Sequence, residues 1–157
     1  MKTNIGISDA NRKTVVEQLG KLLADEFVLY TKTLNAHWNI EGPDFHSVHV
    51  YFEELYEQSQ EIVDSVAERI RQLGHYAPAT LNDFIKLTHL TEHLKGGNTS
   101  TDLIKNLLAD HESIIEFIRA NVKEFDEAHK DAGTSDFVTS LMEKHEKTAW
   151  MLRAHLK

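Results

Sequence analysis

Four long segments of this chain carry apolar residues at three- and four-residue spacing, and almost nothing interrupts them. The 157 residues include only two prolines and seven glycines, so each segment can continue for many helical turns. The segments cover about residues 9–37, 45–73, 101–129 and 135–157, and none alternates apolar and polar residues as a strand would. The pattern therefore predicts an all-α chain built on four long amphipathic helices.

The turn signals between these segments predict how the helices connect. Gly42-Pro43-Asp44 and the turn at residues 131–134 are short, so each should close an antiparallel hairpin. The middle connection has about 25 residues, includes Pro78 and could hold a short helix near residues 81–85. An extended chain of that length could run along a whole helix of about 42 Å. One long crossover is the ferritin-like form of a four-helix bundle, and the simple up-down-up-down form stays open.

Length and composition limit the class of protein. A chain of 157 residues is expected to form one domain, residues 1–157. It has no cysteine, which excludes disulfides, zinc ribbons and thiol catalysis. Its net charge of −8 disfavours a dedicated nucleic-acid-binding role. No stretch predicts a membrane span or a signal peptide, so we expect a cytoplasmic protein with no membrane partner.

Histidine is frequent, with ten in the chain, and it is the commonest metal ligand among side chains. His37 ends the first segment, while the pairs His49/Glu53 and Asp64/Glu68 lie early and late in the second. Each pair has a four-residue spacing and so shares one helix face. Two imidazoles and three carboxylates suit non-haem iron. Solvated helix faces carry the same spacings, so the pattern alone leaves both interpretations open.

The positions along the second helix constrain any shared metal centre. His49 and Asp64 are 15 residues apart, which is about 22 Å along a helix axis. One chain therefore cannot bring both pairs to one centre. Two antiparallel copies across a two-fold axis would join His37, His49 and Glu53 of one copy to Asp64 and Glu68 of the other. The spacing permits such an intersubunit centre, and the absence of Glu-x-x-His disfavours an intrachain di-iron site.

Four stretches of the sequence resemble the Dps family of mini-ferritins, named for DNA protection in starved cells. The resemblance covers essentially the whole chain. The stretches are Leu34-Asn35-Ala36-His37-Trp38-Asn39, Phe45-His46-Ser47-Val48-His49, Asp64-Ser65-Val66-Ala67-Glu68-Arg69 and Lys147-Thr148-Ala149-Trp150-Met151-Leu152-Arg153. The resemblance implies a ferritin-like four-helix bundle, with a short helix in the long connection between helices two and three, and a hollow homododecamer.

The resemblance also implies a function and a set of site residues. It implies a ferroxidase that oxidises Fe(II), preferentially with hydrogen peroxide, at iron centres shared between subunits, and that stores Fe(III) mineral inside the shell. The family commonly has Asp where this chain has Glu53, whose extra methylene lengthens its reach. Trp38 would lie beside the iron and could donate an electron, although an ordinary core or interface aromatic fits equally well. The implied iron ligands are His37, His49, Glu53, Asp64 and Glu68.

Further acidic residues resemble those that line the family's pores and cavity. Asp131 and Asp136 match the acids of the negatively charged three-fold pores, where carboxylate rings attract cations. A position at a helix start explains acids there equally well, because the helix dipole favours them. Since both residues lie near helix ends, we expect both side chains to be exposed. Glu54, Glu57 and Glu61 are candidates for mineral nucleation on the cavity wall, or for an ordinary solvated face.

Many members of the family bind DNA through lysine-rich tails, and we expect this protein to have no such tail. Only Lys2 precedes the first helix, and the chain ends at Lys157 within the predicted fourth helix. Phosphate binding needs clustered Lys and Arg, so we expect no direct DNA binding. The favoured function is iron storage and detoxification by a ferroxidase. The alternative is a nucleoid structural protein that binds DNA without significant ferroxidase activity.

Overall fold

The computed structural model describes residues 3–157 and contains the predicted helices. They are α1 (Asp9–Asn39), α2 (Phe45–Gln72), the short α3 (Leu81–Leu87), α4 (Ser100–Glu127) and α5 (Ala132–Ala154). No strand occurs within residues 3–157. The all-α prediction and the short helix in the long connection are confirmed. None of the helices in this described part of the chain is long and apolar enough to cross a membrane.

Capping residues explain where several helices begin and end. Ser8 caps α1 by accepting a hydrogen bond from the backbone N–H of Asn11, at 3.2 Å, as N-cap serines typically do. Gly74 follows the last residues of α2 with a φ of +87°, a conformation that glycine adopts without steric cost. Helix α5 starts at Ala132, three residues earlier than predicted, because Asp131 accepts the N–H of Thr134 at 2.9 Å and caps it.

The long helices pair as two hairpins, α1 with α2 and α4 with α5, and α1 also packs against α4. Their apolar stripes meet in one core that includes the fully buried Leu19, Leu23, Phe52, Leu107 and Ile118. Burying such a side chain stabilises the fold by about 1.5–3 kcal/mol. The core therefore forms where the stripes of all four long helices converge.

The long connection is attached to α1 at two places. The ring of Phe84 in α3 stacks on Phe27, with centroids 4.3 Å apart. Beyond α3, the carboxylate of the buried Asp25 accepts hydrogen bonds from the Thr88 hydroxyl and the His89 backbone N–H, both at 2.6 Å. These donors satisfy a charge whose burial would otherwise be costly.

The connection begins at Gly74, beside Thr3 before α1, and reaches Asn98, whose carbonyl accepts the N–H of Glu41 after α1 at 3.0 Å. It therefore runs along the length of α1, as the ferritin-like prediction requires.

Candidate metal centre

His37 and His49 lie together at the end of the bundle where α1 turns into α2. Their rings stack with centroids 3.8 Å apart. The Nδ1 of His37 bonds to the backbone carbonyl of His49 at 2.9 Å, and the Nδ1 of His49 bonds to the carbonyl of His37 at 2.8 Å. A carbonyl can only accept, so both Nδ1 atoms carry the proton. Both Nε2 lone pairs are therefore left for another partner, as in metal-ligating histidines.

Tyr56 connects this histidine pair to Glu53. Its ring meets His37 edge-on at 5.2 Å between centroids, and its hydroxyl donates to Glu53 Oε1 at 3.4 Å. Desolvation raises the pKa of Tyr56, and the negative charges of Glu53 and Glu57 raise it further. The phenol therefore keeps its proton and stays a donor. Tyr56 thus lies between the histidine pair and the half-buried Glu53.

Asp64 and Glu68 lie elsewhere, exposed on the far part of α2. Asp64 lines a groove of about 800 Å³ together with apolar side chains that include Phe27, Leu81 and Phe84. Within residues 3–157 of a single chain, no group of three or more His, Cys, Asp or Glu side chains has a geometry that could hold a metal ion. One chain therefore presents two separated parts of the predicted ligand set.

Trp38 follows His37 and is 69% exposed. This exposure removes the interpretation of Trp38 as a core aromatic. Phe45, on the other side of the turn, is also exposed and stacks on His49 at 5.0 Å between centroids. Two exposed aromatic residues thus lie at the turn that carries the histidine pair.

The two acids predicted to line a pore occupy different environments. Asp136 is exposed in the first turns of α5. Asp131 is only 2% exposed, so the expectation of an exposed side chain there is wrong. Its carboxylate is held by the Thr134 hydroxyl at 2.6 Å and by the Arg69 guanidinium at 3.0 Å. Asp131 thus caps α5 and ties it to α2.

Sequence reasoning did not find a second cluster in the core. Glu26, His111 and His145 come from α1, α4 and α5 and are at most 5% exposed. His145 bonds to Glu26 through Nε2 at 2.8 Å and to His111 through Nδ1 at 2.8 Å. A signal was available, because Glu26 lies four residues after Leu22 and three before Leu29 in an apolar stripe. Polar residues on a buried stripe are expected to find polar partners.

The fold and these polar residues define a ferritin-like protein, and the ferritin-like domain family matches residues 16–157. A DNA protection during starvation protein from Helicobacter pylori is 39% identical over 140 residues, which cover 89% of this chain and 96% of that protein. A low temperature-induced protein from Nostoc sp., itself uncharacterized, is 40% identical over 156 residues, which cover 99% of this chain and 87% of that protein.

Solved structures narrow the assignment. A DPS protein from Vibrio cholerae O1, a member of a broad superfamily of ferritin-like diiron-carboxylate proteins, superposes with a TM-score of 0.92 at 30% identity, covering 100% of this chain and 98% of that one. The Dps of Mycobacterium smegmatis also gives a TM-score of 0.92, at 28% identity, covering 100% and 95%. The chain belongs to the Dps branch of the ferritin-like family.

Proposed function

We propose that this protein oxidises ferrous iron, preferentially with hydrogen peroxide, and stores the ferric product as mineral inside a hollow homododecamer. The Dps and ferritin-like relatives support iron storage and protection from oxidative damage in general terms. The observation that carries the proposal for this chain is the His37–His49 pair. Its reciprocal hydrogen bonds fix both Nδ1 protons and leave two Nε2 lone pairs, beside Glu53, for ferrous iron.

A second copy of the chain would complete the centre. His37, His49 and Glu53 lie near the α1–α2 turn, whereas Asp64, on the far part of α2, is about 22 Å from His49 along the helix axis, and Glu68 lies one turn further. The exposed Trp38 and Phe45 beside the histidines, and the apolar groove beside Asp64, support this arrangement. Two copies in antiparallel contact would bury these apolar surfaces. The histidine end of each copy would meet the Asp64/Glu68 end of the other, so the two-fold axis would create two equivalent centres.

Each side chain then has a defined task in the reaction. The imidazoles and carboxylates bind ferrous iron, and the negative carboxylates favour the more highly charged ferric product. Two ferrous ions give one electron each to hydrogen peroxide, whose O–O bond breaks. The two hydroxide ions formed from peroxide, together with two water molecules, then enter the ferric oxyhydroxide, so the overall reaction, 2 Fe²⁺ + H₂O₂ + 2 H₂O → 2 FeOOH + 4 H⁺, releases four protons. We assign Trp38 as an auxiliary electron donor, because its exposed ring directly follows a ligand. When only one ferrous ion is bound, Trp38 would supply the second electron to peroxide and would itself be oxidised by one electron.

Iron should enter through an acidic pore to which Asp136 contributes. Its exposure is compatible with such a role, whereas the buried Asp131 supports the pore by holding the start of α5. Asp136→Asn should slow iron uptake at low salt, and the difference should vanish at high salt because screening removes the attraction. Asp131→Asn should instead lower the melting temperature. Uptake by Asp136→Asn equal to the wild type at low salt would remove the pore assignment.

Complementation between variants tests the shared centre. A chain with His37→Ala and His49→Ala, and another with Asp64→Ala and Glu68→Ala, should each oxidise iron slowly. In hybrid dimers, one of the two centres would combine the intact halves of both chains, so mixed assemblies should recover part of the rate. Each homogeneous assembly serves as the control. Verified hybrids that stay as slow as the parents would contradict the shared centre.

The name of several relatives, DNA protection during starvation, favours a second candidate, a nucleoid structural protein. The net charge of −8 opposes direct contact with phosphates. We therefore propose that any protection of DNA is indirect, through removal of iron and peroxide. A gel-shift titration with plasmid DNA at neutral pH should show no binding. Tight binding that is lost with added salt would favour the second candidate.

A further inference from the structure

The buried cluster of Glu26, His145 and His111 is not used by the proposed iron centre. Its side chains come from three helices, α1, α5 and α4, and Glu26 is fully buried. Their polar atoms form a continuous chain, from Glu26 Oε1 to His145 Nε2 and from His145 Nδ1 to His111 Nδ1, with both distances 2.8 Å. A carboxylate and two imidazoles joined in this way are the components of a proton-transfer chain.

Donor and acceptor roles along the chain follow from the carboxylate. Ionised Glu26 can only accept, so His145 donates through Nε2–H and its Nδ1 is a bare acceptor when the ring is neutral. His111 must then donate through Nδ1–H. Its own Nε2 is left as the open end of the chain. This state holds one negative charge in the core, on a carboxylate whose second oxygen, Oε2, is buried without a hydrogen-bond partner.

One additional proton neutralises this buried charge without any movement of heavy atoms. A proton that binds His111 at Nε2 lets the Nδ1 proton of His111 pass to Nδ1 of His145. His145 then carries two protons beside ionised Glu26, and His111 is neutral again in its other tautomer. Burial and the nearby charge of His145 hold the pKa of His111 well below its usual value, so His111 passes the proton on rather than keeping it.

A pocket of about 400 Å³ between α2 and α5 gives this chain an approach from solvent, because His111 and His145 both line it. Lysines and glutamates of opposite charge balance one another around the pocket. The titratable and charged groups that face the pair are Glu26 from α1, Tyr51, Glu54 and Glu61 from α2, and Lys144 and Lys147 from α5.

We propose that Glu26, His145 and His111 form a proton relay that takes up one proton per subunit from the α2–α5 pocket. Glu54 and Glu61, which line the pocket, belong to the predicted cavity wall. If the proposed iron chemistry occurs there, hydrolysis of ferric iron releases protons at this wall, and the relay would buffer them. The relay itself does not depend on that chemistry, so it can be tested on the metal-free protein.

Solid-state NMR of the intact assembly, labelled with ¹⁵N-histidine, tests the relay directly. His111→Gln and His145→Gln identify the two sets of signals. At about pH 8 we expect Nδ1–H on His111 and Nε2–H on His145, and at about pH 5.5 Nε2–H on His111 and both protons on His145. Once the signals are assigned, an unchanged tautomer of His111 at the two pH values in the wild type would overturn the relay.

Glu26→Gln provides the second test, since it keeps the size of the side chain and removes the charge. His145 should then stay singly protonated at the lower pH, while the control His93→Gln, at an exposed position, should leave the exchange at His111 intact. Double protonation of His145 in Glu26→Gln would overturn the proposal. So would stoichiometric Zn²⁺ binding that shifts both histidine signals in the wild type at about pH 8, because it would assign the pair to a metal.

Discussion

The two histidine pairs of this chain have similar composition and different partners. In the His37–His49 pair, stacked at 3.8 Å, each Nδ1 meets a backbone carbonyl. In the His111–His145 pair, the Nδ1 atoms meet each other, and Glu26 occupies the remaining nitrogen of His145. The first pair lies at the helix turn beside exposed aromatic rings, and the second lies in the core.

The difference shows that the hydrogen-bond partner decides what an imidazole can do. A carbonyl only accepts, so it fixes one tautomer and leaves the other nitrogen permanently available as a ligand. Another imidazole can donate or accept, so two joined rings can exchange tautomers and transfer a proton. The pair at the turn is therefore suited to binding metal, and the core pair to moving protons.

The largest expected effect is a difference in ferrous oxidation rate between variants of the two histidine pairs. His37→Ala with His49→Ala should lower the initial rate of ferrous oxidation by about 100-fold or more, since loss of a metal ligand costs at least as much as loss of a group supporting it. His111→Gln should stay within about threefold of the wild type. Stopped-flow absorbance of ferric iron after addition of peroxide measures both. An equal loss in the two variants would break the division of roles.

The next effect concerns stability. Glu26→Ala should lower the free energy of unfolding by about 3 kcal/mol, because it leaves His145 buried without its partner and opens a space in the core. Glu54→Ala, at an exposed position of α2, should change it by less than about 0.5 kcal/mol. Urea unfolding at matched subunit concentration compares them. Similar midpoints for the two variants would show that the Glu26 contact contributes little.

A smaller effect should appear in the pH dependence of stability. The pKa of His111 lies well below its usual value in the folded chain, so between that value and about 6.5 the unfolded chain binds more protons at this position than the folded chain. This group therefore contributes stability above about pH 6.5 that is lost as the pH falls. Melting temperatures of His111→Gln should decline less steeply on acidification than those of the wild type, whereas His93→Gln should follow the wild type.

The smallest effect should come from Tyr56→Phe. The hydroxyl of Tyr56 reaches Glu53 only at 3.4 Å, which is long for a hydrogen bond, while the ring contact with His37 would remain. We expect ferrous oxidation to slow by less than about threefold, because a weak neutral bond contributes little. A loss comparable to that of the His37→Ala, His49→Ala chain would mean that Tyr56 itself takes part in the reaction.

The helices could be predicted well from the sequence, because the features that form and end a helix lie within a few residues of one another. Apolar spacing, the Ser8 cap and Gly74 each act within a few residues, and the helix bounds follow from them. His37 and His49 could be placed together for the same reason, since a tight turn separates them. The far position of Asp64 followed from the rise per residue of a single helix.

The rest depends on contacts between distant segments. Glu26 and His145 are 119 residues apart in the chain, and no local pattern indicates that they meet. The burial of Asp131 depends on Arg69, 62 residues earlier, whereas the local rule about helix starts predicts only that an acid is tolerated there. A polar residue on an apolar stripe indicates that a buried polar contact exists. Which residues form that contact can be seen only in the packed structure.

The polar contacts between the two hairpins also fix how the hairpins align. Lys32 on α1 forms a buried ion pair with Asp110 on α4 at 2.5 Å, and the next residue of α4, His111, belongs to the cluster that includes Glu26. A shift of α1 along α4 by one turn, about 5.4 Å, would leave apolar side chains facing apolar side chains. A purely apolar interface would therefore oppose this shift only weakly. The same shift would separate Lys32 from Asp110 and Glu26 from His145, which would leave these side chains buried without their partners. Buried charges of this kind penalise a shifted alignment because each one would lose its partner.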